Sequence, residues 1–228
     1  MALVWVIGSG GMLGTALISA LAQSEDTLFD PSIQFRWGNQ AIVREQLKQV
    51  AQQFSSKAAK GPWKIYWAAG NGTMHSSVST LYGFKSKSGK QQGLIAEIVR
   101  RTLLNQVVHI YVPLETMRDY ISAKNAAIQM IETAAQFEKT PGTHLKIIAS
   151  GISTSVAQIL AIVKAICKRN LRFITQADIK SIQYQRVVQF NSEANICNRY
   201  LHQAHLIEGI SELLAESQKH IAKNGWGQ

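Results

Sequence analysis

The chain opens on a continuous apolar run, "ALVWVIG" from Ala2 to Gly8, and then changes period. A short run rich in β-formers that stops at glycine predicts a strand buried on both faces. "GMLGTALISALAQ" follows with apolar residues at helical spacing. "SIQFRWG", Ser32 to Gly38, predicts a second strand. "QAIVREQLKQVAQQFSSKAAK" predicts an amphipathic helix with Ile42, Leu47, Val50 and Phe54 on its apolar face. "PWKIYWAAG", Pro62 to Gly70, predicts a third strand ending in a small-residue turn. Strands alternating with helices predict a parallel sheet covered on both faces, with any ligand beyond the carboxyl ends of the strands.

The second half is less regular. Helices are expected over Gly93–Gln106, Asn125–Phe137, Ser153–Arg169 and Glu208–Lys223, and strands over Val107–Val112 and His144–Gly151. Ser153 and Thr154 are cap candidates for the third of these helices. The expected fold class is α/β, a Rossmann-type doubly wound parallel sheet with a small C-terminal substrate-binding part. The division falls at 1–106 for the nucleotide-binding part and 107–228 for the rest.

Composition agrees with that picture. The 228 residues, 46% apolar and 17% charged, suit one α/β domain with a small appendage and exclude a disordered chain. No segment is long and apolar enough to span a bilayer. The first 22 residues lack a basic start and are broken by glycines, so they read as strand, turn and helix rather than as a signal peptide. Cys167 and Cys197 form no C-x-x-C pair and read as thiols of a reducing compartment, so the expected location is the cytoplasm.

The net charge of +10 suits either an anionic small molecule or a solvated basic surface. Nucleic acid is disfavoured, because no basic-aromatic RNA-binding strand and no zinc-finger spacing is present. His75 and His109 show no metal-ligand spacing, and no metal is expected. Trp63, Trp67 and Phe35 read as core residues rather than stacking platforms.

The strongest chemical signal is "GSGGMLG", made of Gly8, Ser9, Gly10, Gly11, Met12, Leu13 and Gly14. In this G-x-x-G-x-x-G pattern the first glycine permits a tight strand-to-helix turn. The middle one lets backbone approach a pyrophosphate, and the last lets the helix pack on the strand. The helix N-terminus then favours the anion. NAD or NADP is therefore the expected cofactor. The end of the expected second strand carries Arg36 and no acid, which tilts the reading to NADP through a 2′-phosphate; a plain surface arginine is the rival.

"RDYISAKNAA" raises a second question, because Tyr120 and Lys124 have the Tyr-x-x-x-Lys spacing of a dehydrogenase's catalytic pair. At the head of a helix they would stand one turn apart, with the lysine lowering the phenol's pKa. Against this, the preceding strand offers no hydroxyl at its end before Thr116.

Taken together, these segments resemble the extended short-chain dehydrogenase/reductase superfamily. More narrowly, the chain is similar to the NAD-dependent epimerase/dehydratase family that acts on nucleotide sugars. "VIGSGGMLGTAL" resembles its opening strand, turn and helix, and "IYWAAG" the strand whose alanines line the cofactor. The resemblance thus implies cofactor contacts at Ala68, Ala69 and Gly70. "STLYGF" resembles its "YGP" segment, with Phe84 in place of proline. "RDYISAKNAAIQMI" resembles "RDYIYVDDAAxAI", "IIASGISTSVAQILAIVKAI" resembles "NIGSGxxxSxxELxxxI", and "EGISELL" resembles the terminal "EGIxxTI" helix.

The resemblance reassigns the "RDY" residues. It implies that Arg118 reaches the diphosphate of a sugar nucleotide by charge-assisted hydrogen bonds, a surface pair with Asp119 being the alternative. It implies that Asp119 and Tyr120 are structural, and that Tyr82 and Gly83 shape the floor of the substrate site. It also exposes an absence: "WAAGNGTMHSS" runs almost directly into "VSTLYG", where the family holds further strands and its catalytic Ser/Tyr/Lys segment. The junction lies near Ser76–Ser79. Losing those strands would leave apolar surface and unpaired edges.

The implied activity is that of an epimerase, dehydratase or reductase on a nucleotide-linked sugar, with a homodimer as a candidate assembly. Two rivals stand beside it: a degenerate, non-catalytic nucleotide-binding or regulatory protein, and a compact dehydrogenase using Tyr120 and Lys124.

Overall fold

A computed structural model of the chain describes residues 1–69, 80–83, 93–176, 186–188 and 199–224, with backbone alone for 199–204 and 224. The expected junction near 76–79, Gly70, His75, Cys197 and the basic run 84–90 lie outside the described residues. The chain divides into two compact units, Met1–Gly70 and Asn71–Gln228.

In the first unit, β1 (Leu3–Ile7) is the centre of a three-stranded parallel sheet, between β2 (Thr27–Leu28) and β3 (Trp63–Trp67). The apolar run of β1 is buried, as its composition predicts. Trp5 and Ile7 pack on Phe29, Val50, Phe54 and Ala58. Trp5, Phe29 and Phe54 meet at ring-centroid distances of 5.3–5.8 Å, two of the three contacts edge-on. The aromatic geometry favours such edge contacts, and the large rings supply most of this small core. Helices α1 (Met12–Leu21) and α2 (Gln40–Ala58) follow the first two strands. On α2, Val50 and Phe54 are buried and Leu47 is partly so, whereas Ile42 is exposed.

The second strand is not where the alternation in "SIQFRWG" puts it. The pairing with β1 is made by Thr27–Leu28, extended by Phe29, whose N–H donates to the Val4 carbonyl at 2.7 Å. Phe29 wins because its ring fills the aromatic core, and Pro31 offers no N–H to continue the ladder. Residues 32–38 run as an irregular connection. Ile33 and Phe35 pack against the core, and the Gln46 side chain bonds Arg36 N and Gln34 O.

Trp63 and Trp67 are also not core residues. β3 is the outer strand, and both indoles are largely exposed. Side chains stand on the faces of a sheet, and on this face Trp63 meets the ring of Phe54 edge-on at 6.2 Å.

In the second unit, β6 (Met117–Ser122) lies between β4 (Thr80–Tyr82), to which it is parallel, and β7 (Ser153–Ser155), to which it is antiparallel. A separate parallel pair joins β5 (Val108–Ile110) to β8 (Phe173–Thr175). Helices α3 (Leu94–Leu103), α4 (Ala123–Phe137), α5 (Val156–Cys167) and α6 (Arg199–Asn224) complete it. Its core joins Tyr82 and Tyr120 to Ile95, Ile98, Ile159 and Ile210. The predicted strand over His144–Gly151 does not form. Leu145 is 94% exposed and Ile147 is exposed, since no described strand lies beside them. β4 and β8 are three-residue strands, too short for a period to show in the sequence.

The helix expected from Ser153 starts later: Ser153 and Thr154 lie in β7, and α5 begins at Val156 with Ser155 as its N-cap. Ser155 Oγ accepts from Gln158 N at 3.2 Å, and Gln158 Oε1 accepts from Ser155 N at 2.8 Å, closing a capping box. Ser155→Ala is expected to lower stability by about 1 kcal/mol, read from urea unfolding. An unchanged midpoint would assign the helix start to packing alone.

Candidate functional site

The glycine turn is built from three close approaches. Gly8 ends β1 with φ +88°, a conformation L side chains rarely adopt. A Cβ added there would lie 2.7 Å from Ala69 N and 2.8 Å from the Ala68 carbonyl carbon. The Ala68 N–H donates to the Ile7 carbonyl at 2.8 Å, so the ladder between β1 and β3 runs up to this point. A Cβ at Gly14 would overlap the Gly8 carbonyl and sit 2.8 Å from Ser9 Cα. Gly8 and Gly14 therefore let the turn, the third strand and α1 touch backbone to backbone. The structure brings together Gly8–Gly14 and Ala68–Ala69, the segments expected to share a ligand.

The other face of the turn is open. A Cβ at Gly10 would meet nothing within 4 Å, and one at Gly11 only the Gly8 carbonyl at 3.2 Å. Gly11 is the N-cap of α1; no side chain caps it, and no acidic residue stands in the first turn. The first amides of a helix have no intrahelical acceptors. A ten-residue helix presenting them without an acidic competitor suits a diphosphate. The residues present thus fit the phosphates of a dinucleotide.

The sequence reading missed Asp30. With β2 ending at Leu28, the acid just past that strand is Asp30, about twenty residues beyond the glycine turn, the place of a ribose-binding acid. It is exposed, and its Oδ1 accepts from Ser32 N at 3.1 Å. Sequence distance from the glycines could have found it; the stronger alternation of 32–38 drew the strand away. An acid therefore does follow the second strand, contrary to the expectation drawn from Ser32–Gly38. Arg36 is exposed in the connection before α2, not at a strand end.

In the second unit, Tyr120 and Lys124 do not share a helical face. Tyr120 lies in β6 and is 3% exposed, while Lys124 is in the first turn of α4. Ser122 separates the two elements: its Oγ accepts from Asn125 N at 3.1 Å and caps α4. Burial pushes the Tyr120 phenol up to about 12, with Arg118 opposing it. Lys124 Nζ donates to Glu212 Oε1 of α6 at 2.6 Å, which raises its pKa in turn. These shifts are the reverse of an activated phenol beside a free ammonium.

Tyr82 is buried beneath α6. A Cβ at Gly209 would lie 3.1 Å from its ring carbons, so Gly209 is where the helix passes over the ring. Burial, then Glu212 and Glu208, hold its phenol well above the ordinary range.

Asp119 is fully buried rather than part of a surface pair. Its carboxylate accepts from Ser150 N at 2.9 Å, Ser150 Oγ at 2.7 Å and Gly151 N at 2.8 Å. It pins the "SG" turn against β6. Arg118 is half-buried and donates from Nη1 to the Met117 carbonyl at 2.8 Å. No cluster of metal-ligating side chains occurs among the described residues, and Cys167 is a free thiol.

No family model matches the chain, and no curated protein matches it. Solved structures do. A UDP-glucose 4-epimerase from Thermotoga maritima with UDP-glucose aligns at 14% identity and TM-score 0.61, covering 96% of this chain and 99% of that one. A GDP-mannoheptose C4 reductase from Campylobacter jejuni with NADP bound aligns at 13% identity and TM-score 0.55, covering 96% and 98%. A Thermus thermophilus UDP-glucose 4-epimerase in complex with NAD aligns at 11% identity and TM-score 0.58, covering 95% and 99%. The fold is therefore the Rossmann-type α/β fold of these enzymes. No helix among the described residues is long and apolar enough to cross a membrane.

Proposed function

We propose that this protein binds a nicotinamide dinucleotide at the Gly8–Gly14 turn and a nucleotide-linked sugar through its C-terminal unit. One observation carries the reading: Gly8 and Gly14 are packed too closely for any side chain, while Gly10 faces open space and no side chain caps the N-terminus of α1 at Gly11. That division of labour is what a diphosphate cradle requires. The aligned enzymes support the ligand class, since they were solved with UDP-glucose, NADP or NAD.

Within the first unit, the turn amides would hold the diphosphate, Ala68 and Ala69 would flank it, and Asp30 would accept hydrogen bonds from the adenosine ribose. This reading favours NAD over NADP, because a 2′-phosphate beside the Asp30 carboxylate is repelled. Arg36 remains the residue that would offset that repulsion. Arg118 would bind the diphosphate of the sugar nucleotide from the second unit, where Tyr82 supports the helix above it. When bound, the nicotinamide supplies hydride exchange with a sugar carbon.

A second reading, binding without turnover, is favoured by Tyr120. Its phenol is buried, and burial holds it above the ordinary range, which disfavours it as the proton acceptor of a hydride exchange.

Titration with NADH and NADPH, followed by UDP- and GDP-linked sugars, tests the binding claims. NADH is expected to bind more tightly than NADPH, and Asp30→Ala to weaken NADH by about tenfold, the loss of one charge-assisted hydrogen bond. Absence of dinucleotide binding at millimolar concentration would overturn the proposal. Hydride exchange surviving in Tyr120→Phe would show that another residue carries the proton.

A further inference from the structure

The outer edge of β3 carries a feature that the dinucleotide site does not use. Trp63, Ile65 and Trp67 occupy alternate positions of the strand and are 57%, 43% and 58% exposed. They form one stripe of large apolar side chains on one face. It continues onto α2 through a shallow depression of about 210 Å³ lined by Phe54, Ser55, Ala58, Ala59, Trp63 and Ile65. The ring of Trp63 meets Phe54 edge-on at 6.2 Å, so stripe and aromatic core are continuous.

The backbone of the same residues faces outwards. The Pro62 carbonyl accepts from Leu3 N at 2.9 Å, and Ala68 N donates to the Ile7 carbonyl at 2.8 Å. In a ladder, alternate residues turn their N–H and C=O to the same neighbour. Residues 62, 64, 66 and 68 therefore face β1, and residues 63, 65 and 67 face the free edge. No described strand pairs with that edge.

Proteins usually blunt such an edge with charge, proline or a bulge. Here the one charged residue, Lys64, stands on the opposite face, with its Nζ 3.5 Å from Asp26 Oδ2. In the unblunted edge, W-K-I-Y-W, the alternate positions Trp63, Ile65 and Trp67 read the same in both directions. An antiparallel two-fold through Ile65 sets Trp63 against the other copy's Trp67, and Ile65 against itself. Those are also the residues whose backbone groups face out, so each becomes a hydrogen-bonded pair. Lys64 then stands opposite a tyrosine rather than another lysine, which spares a highly basic chain a like-charge contact.

We propose that two copies of this chain associate through β3, edge to edge and antiparallel about Ile65, joining two three-stranded sheets into one of six. The interface is isologous, as a two-fold requires. It is independent of the dinucleotide proposal, because neither the glycine turn nor Asp30 takes part.

Sedimentation of the full chain decides the matter. The 25.2 kDa protomer is expected to sediment at twice that mass at micromolar concentration. Ile65→Lys sets like charges across the axis and is expected to sediment as a monomer with an unchanged circular dichroism spectrum. Ile65→Cys supplies a second readout. Hydrogen-bonded antiparallel partners have Cα atoms about 5.5 Å apart, inside the disulfide range of about 4.4–6.8 Å. Mild oxidation is expected to give a covalent dimer of Ile65→Cys, which the parent, with its native Cys167 and Cys197, does not give. A parent that stays monomeric to its solubility limit overturns the proposal. So does a dimer unaffected by Ile65→Lys, or an Ile65→Cys variant that cross-links no better than the parent.

Discussion

Replacing Gly8 with alanine is expected to abolish dinucleotide binding and to lower the stability of the first unit by about 3 kcal/mol or more, from strain plus overpacking. Two effects add at this residue. Its φ of +88° lies where a side chain is strained, a cost of about 1–3 kcal/mol. The new Cβ would also lie 2.7–2.8 Å from backbone atoms of Ala68 and Ala69, which no rotamer change can relieve. The strand end must separate from the turn, and the Ala68-to-Ile7 hydrogen bond is the first to go. Gly10→Ala is the control from the same turn, because its Cβ meets nothing within 4 Å. It should melt as the parent does. Thermal unfolding and NADH titration of both variants check the claim. A Gly8→Ala protein that melts and binds like the parent would refute the close approach of β3 to the turn.

Asp119→Ala is expected to destabilise the second unit by about 3 kcal/mol, since buried donors left without an acceptor cost about 1–3 kcal/mol each. The carboxylate is fully buried and accepts from two backbone amides and one hydroxyl. Alanine leaves the Ser150 and Gly151 amides with no acceptor at that point. In a chain of this length the melting temperature should fall by about 6–12 °C. Asp119→Asn keeps one acceptor oxygen and should fall between parent and alanine. Differential scanning calorimetry separates the three. Equal melting of Asp119→Ala and the parent would mean that water replaces the carboxylate, and that the "SG" turn is not pinned by it.

The contrast between these residues shows what was legible in the sequence. The glycine pattern could be read because its constraint is local: a strand, a turn and a helix N-terminus follow one another along the chain. Asp30 could not be read from periodicity. The two-residue β2 is too short for alternation to register, and the connection after it has the better β pattern. Tyr120 and Lys124 misled for a related reason. Their spacing fits a helix, but Ser122 caps α4 between them and leaves the tyrosine in a strand.

The sequence by itself determined the α/β class, the glycine turn between β1 and α1, and most of the helices. Each rests on interactions among neighbours in the chain, where propensity and capping act directly. Only the tertiary structure decided which residues pair across the sheet. It made Phe29 rather than Phe35 the deep aromatic, buried Asp119 under the "SG" turn, and left Trp63, Ile65 and Trp67 on an edge that no described strand pairs with. Those outcomes depend on which distant strands lie alongside, and an apolar residue reads the same in a sequence whether or not a neighbour covers it.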